Sequence, residues 1–598
     1  MGSNCRLTWS EPNRRPLTPE HLSRLEAWVD SIRGHVSPLE IAAALARSAA
    51  QDAGLRLDDS APALLSVGAV GLPGDVVGVP EALGIAYERA LDAGHRHQMG
   101  VHYTPARVAS ALAAIALGQD AHQTVCDPSV GGGAFLLAAA DELERRGIAA
   151  DVVVAERLWG LDIDPDVVLV ADAALSLWGS RDGQWVGPDA HLQVADTLRV
   201  GRNGFAADTE GFDVVLGNPP FQNQLQASTA RDAMEGRHLR DRWQAPAGPY
   251  ADTAAFFLLA ALELVADDGV VLLVQPESIL GARDAAPIRQ RVLASSTMEG
   301  LWSGGSGVFA ADVRVCAPLL RRGAVNPVEI QRWVGSEVEA VAPLGARDLE
   351  ATWSPLVADL LGAPLVDVTG FATLGELVSA TAGFRDEFYG LAPHTSNTPE
   401  ASSPKLVTVG MIDPLRNRWG TATFRYAGGK WTHPRVDTEA LAADNAKLAR
   451  WVEDRTVPKV MVATQTKVIE VVVDPVGDIV PCTPVIAVVG PPDRLWHIAA
   501  ALMSPAVTAI ALARAAGAAL SQGTIKLSAK QVLALPTPTD AVLWDEGAAL
   551  ARAAADSVDP GEWSAALLEL GTVMTEAYGL PADHEVVAWW ADRLPPWR

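Results

Sequence analysis

Short apolar runs that alternate with helical stretches constrain this chain more than any other feature. The runs are Thr124–Cys126, Trp159–Ile163, Leu192–Val194, Phe212–Leu216 and Gly269–Val274. Helical spacing follows the first at Ala134–Arg146 and the second as far as Leu175, and precedes the last near Ala254–Val265. Strands separated by helices form parallel βαβ units, so this stretch predicts an α/β fold with a doubly wound, Rossmann-like sheet. Such sheets bind ligands outside the carboxyl ends of their strands, which makes the residues ending each run the candidates for chemistry.

The first run ends in Asp127-Pro128-Ser129-Val130-Gly131-Gly132-Gly133-Ala134-Phe135. Glycines let a backbone turn tightly and approach a ligand without a Cβ clash, although a Gly-rich turn alone fits a dinucleotide, a phosphate or no ligand at all. The second run ends at Asp162-Ile163-Asp164-Pro165. Asp162 is placed to accept hydrogen bonds from ribose hydroxyls and Ile163 to wall an adenine ring. Asp164-Pro165 also suits the cap of the next helix. The third run ends at Asp196-Thr197, where Asp196 either accepts from an adenine amino group or caps a turn.

The fourth run leads into Asn218-Pro219-Pro220-Phe221. Two prolines end strand hydrogen bonding and stiffen the turn. The Asn218 side-chain oxygen and the Pro219 carbonyl are two acceptors that can hold an NH₂ group, and Phe221 supplies a ring for stacking. An aromatic amine is a poor nucleophile because its lone pair is delocalised. Two acceptors on its hydrogens favour a more tetrahedral nitrogen aimed at an electrophilic methyl, so catalysis is mainly orientation and electrostatics. A base in a duplex cannot reach such a pocket and must flip out.

The remaining composition narrows the classes. At 598 residues the chain exceeds one ordinary hydrophobic core and predicts several domains. Its charge of −25 speaks against a general nucleic-acid binder. The segment Phe371–Thr539, however, holds 16 basic and 14 acidic side chains, so the acidity lies outside it. Cys5, Cys126, Cys316 and Cys482 fit neither a zinc cluster nor a disulfide framework, which predicts no metal and a reduced, cytoplasmic setting. The apolar windows Ala500–Leu520 and Phe256–Val274 contain Pro505 and Arg514, and Glu263, Asp267 and Asp268, respectively, which predicts buried elements rather than membrane spans. Met1–Arg15 is polar and lacks a signal peptide's apolar core.

Together these motifs resemble the gamma class of DNA adenine-N6 methyltransferases, the group of TaqI-like enzymes and type I modification subunits. That class carries Tyr/Phe-Thr-Pro ahead of the Gly-rich turn, matched here by Tyr103-Thr104-Pro105 and the helix Ala106–Leu117. Leu83-Gly84-Ile85-Ala86-Tyr87-Glu88 looks like the helix that leads into it. Its Asp-Pro-x-x-Gly-x-Gly-x-Phe matches Asp127, Pro128, Gly131, Gly133 and Phe135, and its Asn-Pro-Pro-aromatic matches Asn218 to Phe221. Gln275-Pro276-Glu277 and Val308–Val313 also fit its pattern, with Phe309 as a candidate second stacking ring.

The resemblance implies S-adenosylmethionine as cofactor, held by Tyr103, Thr104, Pro105, the Gly-rich turn, Asp162, Ile163, Asp196, Thr197 and Asn218. It implies catalysis at Asn218, Pro219, Pro220 and Phe221. Double-stranded DNA is the implied substrate, in a restriction-modification or phage-defence setting that includes a separate nuclease or defence subunit. The implied layout is a helical N-terminal region 1–95, a methyltransferase domain 96–340, a mixed α+β target-recognition domain 341–540 and a helical extension 541–598. In the third of these, Lys459–Lys467 followed by Val468–Val473 looks like the core hairpin of such domains, and Leu520–Ser528 like their closing segment. Lys467, Arg385, Arg416, Arg418 and Lys430 are candidate DNA contacts against the alternative of a solvated surface. Methylation of RNA or of a protein glutamine amide uses the same tetrapeptide chemistry, and a non-catalytic recognition subunit is the other competing reading. The tetrapeptide chemistry also admits a cytosine amine.

Overall fold

In the computed structural model the residues described are 17–92, 104–118, 123–180, 182–187, 191–205, 210–222, 233–244, 247–248, 251–305, 307–308, 313–323, 329–345, 349, 352–364, 366, 371–383, 385–397, 403–515 and 524–597. Tyr103, Phe309 and Leu520–Gly523 fall outside them. The chain divides into two compact units, Met1–Trp353 and Ser354–Arg598.

The first unit is built on one ten-stranded sheet. Its strands are β1 (Val125–Asp127), β2 (Leu158–Asp162), β3 (Leu192–Val194), β4 (Phe212–Gly217), β5 (Val265–Leu273), β6 (Gln275–Pro276), β7 (Ser296–Gly305), β8 (Val315–Arg322), β9 (Glu329–Val334) and β10 (Glu339–Gly345). The order is β10-β9-β7-β8-β5-β4-β1-β2-β3, with β6 paired to β8. β1 pairs in parallel with β2 on one side and β4 on the other, so the winding direction reverses between β1 and β4. β4 and β5 are parallel, whereas β8 runs antiparallel to β5 and β7.

All five expected strands are present within a few residues of their expected limits. The sheet then continues beyond them, past the domain limit expected at 340. Residues 340–345 extend it as β10, antiparallel to β9, in spite of Pro343. Pro343 falls in the irregular step between Val341 and Leu344, where the missing N–H costs no regular ladder bond.

The N-terminal helices share the core of this sheet. They are α1 (Pro19–Ile32), α2 (Pro38–Asp52) and α3 (Pro80–Ala90), with α4 (Ala106–Leu117) following. Ser37 begins α2 with a capping box, its hydroxyl accepting from Glu40 N and the Glu40 carboxylate accepting from Ser37 N. Ile41, Leu45, Leu83, Val108 and Leu112 are buried in one cluster with the strand residues Val125 and Val214. Each such aliphatic side chain contributes roughly 1.5–3 kcal/mol on burial.

α3 comes very close to the Gly-rich turn. A Cβ on Gly84 would lie 2.8 Å from both the Cα and the carbonyl oxygen of Gly132, and a Cβ on Gly132 would press on the Gly84 backbone equally hard. Tyr87, in the same helix, donates its hydroxyl to Asp164 Oδ2 at 3.2 Å.

The second unit centres on a four-stranded antiparallel sheet ordered Ser379–Ala382, Ile486–Val489, Lys459–Val462 and Val471–Asp474. The expected hairpin is thus formed, with its second strand starting at Val471. Buried Lys459 bonds Asp474 Oδ2 at 2.5 Å, and Asp474 also accepts from the backbone of Gly477 and Ile479. Ile525–Lys526 pairs antiparallel with Gln465–Thr466 beside the hairpin.

Two helices, Leu495–Met503 and Pro505–Ala515, run through the apolar window that begins at Ala500. Pro505 has no N–H to donate and forces Ser504 out of the helical region, to φ −57° and ψ 137°, so the helix ends there. These two helices pack with Ala541–Asp556, Pro560–Ala577 and Glu585–Ala591 in one core. No single helix among the described residues is long and apolar enough to cross a membrane.

The α3 contact is testable by stability. Gly84→Ala forces a backbone shift of the kind that costs about 1–3 kcal/mol in a packed interior, and urea unfolding should register that loss. An unchanged midpoint would show that helix and turn separate freely.

Candidate active site

The carboxyl ends of β1 to β4 border a cleft of about 1070 Å³ at the β1/β4 reversal. Its floor is the Gly-rich turn. Gly131 and Gly133 both take positive φ, +52° and +86°, and Gly133 serves as the left-handed cap of the helix α5 (Ala134–Arg145). The turn is pinned to β2 twice, by Val130 N donating to the Leu161 carbonyl and by Gly131 N donating to Asp162 Oδ2 at 2.9 Å.

From β1, Asp127, Pro128, Gly131 and Phe135 line the cleft. From β2 come Asp162 and Ile163, and from β3 Asp196 and Thr197. Ile163 is 58% exposed, an aliphatic face left open at the cleft. Asp196 does cap the short helix Thr197–Val200, accepting from Leu198 N at 3.0 Å and pairing with Arg199, so here the capping reading and the cleft position coexist. Thr197 is buried and donates to the Pro128 carbonyl at 2.6 Å, which ties the β3 end to the β1 turn. Asp164 caps the helix Pro165–Gly179 through Asp166 N.

Asn218 and Pro220 line the cleft from β4, while Pro219 is buried. Asn218 Nδ2 donates to Thr104 Oγ1 at 3.0 Å. Thr104 is itself buried and cleft-lining, and Pro105 beside it opens α4. Thr104 and Asn218, more than a hundred residues apart, thus meet through a hydrogen bond that sets the rotation of the Asn218 amide. Phe221 is placed differently from expectation. It is 7% exposed, packs in the apolar core and does not line the cleft. Gln275 and Glu277 are also buried away from it, Glu277 paired with Arg314 at 2.8 Å.

Several lining residues were not singled out from sequence. The backbone N–H of Gln222 and of Ala254 both donate to Asp252 Oδ1, and Thr253 donates its hydroxyl to Gln222 Oε1 at 2.8 Å. The start of the helix Thr253–Leu264 therefore anchors the residues that follow the tetrapeptide. Asp252-Thr253 ahead of an apolar helix is a capping pattern that could have marked this position. Phe257, Glu235 and Glu88 complete the wall.

The lining carries five carboxyl groups, Glu88, Asp127, Asp162, Asp196 and Glu235, and among the described residues no lysine or arginine. Burial pushes the Asp127 carboxyl up to about 8, although the Ser129 N–H favours its anion. Burial raises Asp162 as well, against the N–H groups of Asp164 and Gly131. A cleft of this charge repels phosphates and rewards a cationic ligand.

In the second unit the candidate basic residues separate. The Arg416 guanidinium lies 3.4 Å from the Trp597 ring centre, and Arg418 lies 3.4 Å from buried Asp413. Lys467 and Lys430 are exposed. Lys430 sits directly opposite Arg425 in the hairpin Phe424–Tyr426/Gly429–Trp431, a cation that sequence reading passed over.

The fold class read from sequence holds, a Rossmann-like methyltransferase sheet with additional domains. Residues 79–331 match the N-6 DNA methylase family. A curated relative, the type II methyltransferase M.VspI of Vibrio sp. (strain 343), is 24% identical over 217 residues, which cover 36% of this chain and 46% of that protein. The chain thus matches under half the length of that relative. Among solved structures, the type IIL restriction-modification enzyme MmeI in complex with DNA superposes with a TM-score of 0.56 at 13% identity, over 96% of this chain and 97% of that one. That likeness is one of fold.

Asp127 gives this unit a pH signature. An unfolded aspartate ionises near pH 4, whereas folded Asp127 holds its proton to about 8. Its contribution favours folding fully below about pH 4 and is lost as pH rises to about 8. Asp127→Asn should therefore flatten the fall in urea midpoint between about pH 5 and pH 8; equal slopes in both proteins would show that Asp127 is ionised in the fold.

Proposed function

We propose that this chain is a DNA adenine-N6 methyltransferase of the gamma class that uses S-adenosylmethionine. The observation that carries the reading is the Asn218–Thr104 bond at the mouth of an acidic cleft. The donor set fits the cofactor. Asp162 and Ile163 suit its ribose and adenine, and the carboxylates suit a ligand bearing a sulfonium and an ammonium. When bound, the cofactor supplies an electrophilic methyl group.

The chain's own residues do the rest. Thr104 accepts from Asn218 Nδ2 and so fixes which way the amide oxygen points. That oxygen and the Pro219 carbonyl accept from the two hydrogens of the adenine amine, which holds its nitrogen for in-line attack. The target adenine leaves the duplex to reach the cleft, and Phe221 stacks on it only after turning out of the core. DNA contacts then fall to the second unit, and a restriction-modification or phage-defence partner fits the setting of the relatives.

Transfer of labelled methyl to unmethylated genomic DNA tests the reading. Wild type should yield N6-methyladenine, with the rate down at least ~100-fold in Asn218→Ala. No label on DNA, with cofactor bound, would overturn it in favour of an RNA or protein substrate.

The exposed Arg425–Lys430 pair supports a DNA-facing hairpin, because like charges directly opposite each other are destabilising unless an anion lies over them. Replacing both with Ala should weaken DNA binding uniformly across sequences. It should also reduce the slope of log K against log salt by about 2. An unchanged slope would remove the hairpin from the interface.

A further inference from the structure

The hairpin Phe424–Tyr426/Gly429–Trp431 has two unlike faces. Successive side chains of a strand point to opposite sides. On one side Phe424 and Trp431 pack against a small apolar cluster. Tyr426, 3% exposed, belongs to that cluster and donates its hydroxyl to the Phe388 carbonyl at 2.7 Å. The other side carries Arg425 opposite Lys430, both exposed. One step past the ladder on that side, exposed Thr423 meets Thr432, Oγ1 to Oγ1, at 3.0 Å. Ala427 and Gly428 join the strands, both at positive φ, +47° and +80°. The turn is therefore the tight two-residue kind that suits a twisted ribbon, and it carries nothing larger than a methyl group.

A two-stranded ribbon anchored by one face and polar on the other has the dimensions of a groove reader. The major groove of B-DNA is about 12 Å wide and admits such a ribbon, whereas the minor groove is about 6 Å wide. The two kinds of side chain differ in reach. Arg425 and Lys430 are long and cationic, and can turn aside to phosphates along the groove walls, which carry no sequence information. A threonine reaches only what the ribbon itself touches, and on the floor of a groove that is the edge of a base. The Thr423 and Thr432 hydroxyls spend one proton on each other, which leaves one proton and several lone pairs for a partner.

We propose that the outer face of this hairpin lies in the major groove of the target duplex and that the Thr423–Thr432 hydroxyl pair reads base edges there, with Arg425 and Lys430 on flanking phosphates. The role rests on the reading of the chain as a DNA methyltransferase. It makes the pair a determinant of which sequence is methylated rather than of how tightly DNA in general is held.

The double variant Thr423→Val/Thr432→Val tests this. It removes both hydroxyls, keeps the β-branched shape and leaves neither partner unpaired. Sequencing of DNA methylated by the wild type gives the site. Binding of the full chain is then measured to duplexes carrying that site and to duplexes with each of its base pairs replaced in turn. The variant should lose about 10- to 100-fold of its discrimination at one or two adjacent base pairs and keep it at the others. Its affinity for unrelated DNA should stay within about twofold, with the salt slope unchanged, and melting curves of the two proteins should coincide. Wild-type discrimination at every position would overturn the assignment. So would an equal loss on every sequence, which would move the threonines to the phosphate backbone. A wild-type chain that methylates no DNA would instead sink the methyltransferase reading, and the threonine role with it.

Discussion

Backbone contact between Gly84 and Gly132 is the constraint on which the site depends. A helix and a turn approach this closely only where neither carries a Cβ. The contact sets the helix Pro80–Ala90 against the floor of the cleft, and Tyr87 locks it to the loop beyond β2 through Asp164. The same turn is held from the other side by Leu161 and Asp162. The cleft floor is therefore a short stretch of backbone gripped between a helix and a strand end. Its shape precedes any ligand, which lowers the ordering cost of binding.

Charge is distributed to match. The chain as a whole is acidic, and five carboxyl groups face the cleft. An arrangement of that sign disfavours a phosphate-bearing dinucleotide, the main alternative for a Gly-rich turn after a strand. It suits a ligand whose reactive centre is itself a cation. DNA, on the proposed reading, must be met by other surfaces, and the exposed Arg425 and Lys430 lie in the segment whose charge is close to neutral.

Much of this was legible because the signals are local. A strand's apolar run, the glycines that bend after it and the prolines that end β4 act on neighbours in sequence, and all five strands lie within a few residues of where their patterns put them. The break at Pro505 is local too, although the apolar pattern runs on across it. The strand Glu339–Gly345 was not legible. It has mostly exposed side chains and owes its conformation to the hydrogen bonds of its neighbour, a non-local cause.

The sequence by itself determined the chemistry on offer: a glycine turn, acidic strand ends, and an asparagine between a strand and two prolines. Each follows from short-range covalent and steric rules. Tertiary structure alone decided which of these groups meet. It brought Thr104 to Asn218, placed Glu88 beside Gly131, and turned Phe221 into the core rather than toward the cleft. Those outcomes depend on how elements far apart in the chain pack, and packing is settled by the shapes of whole surfaces, which no short stretch of sequence contains.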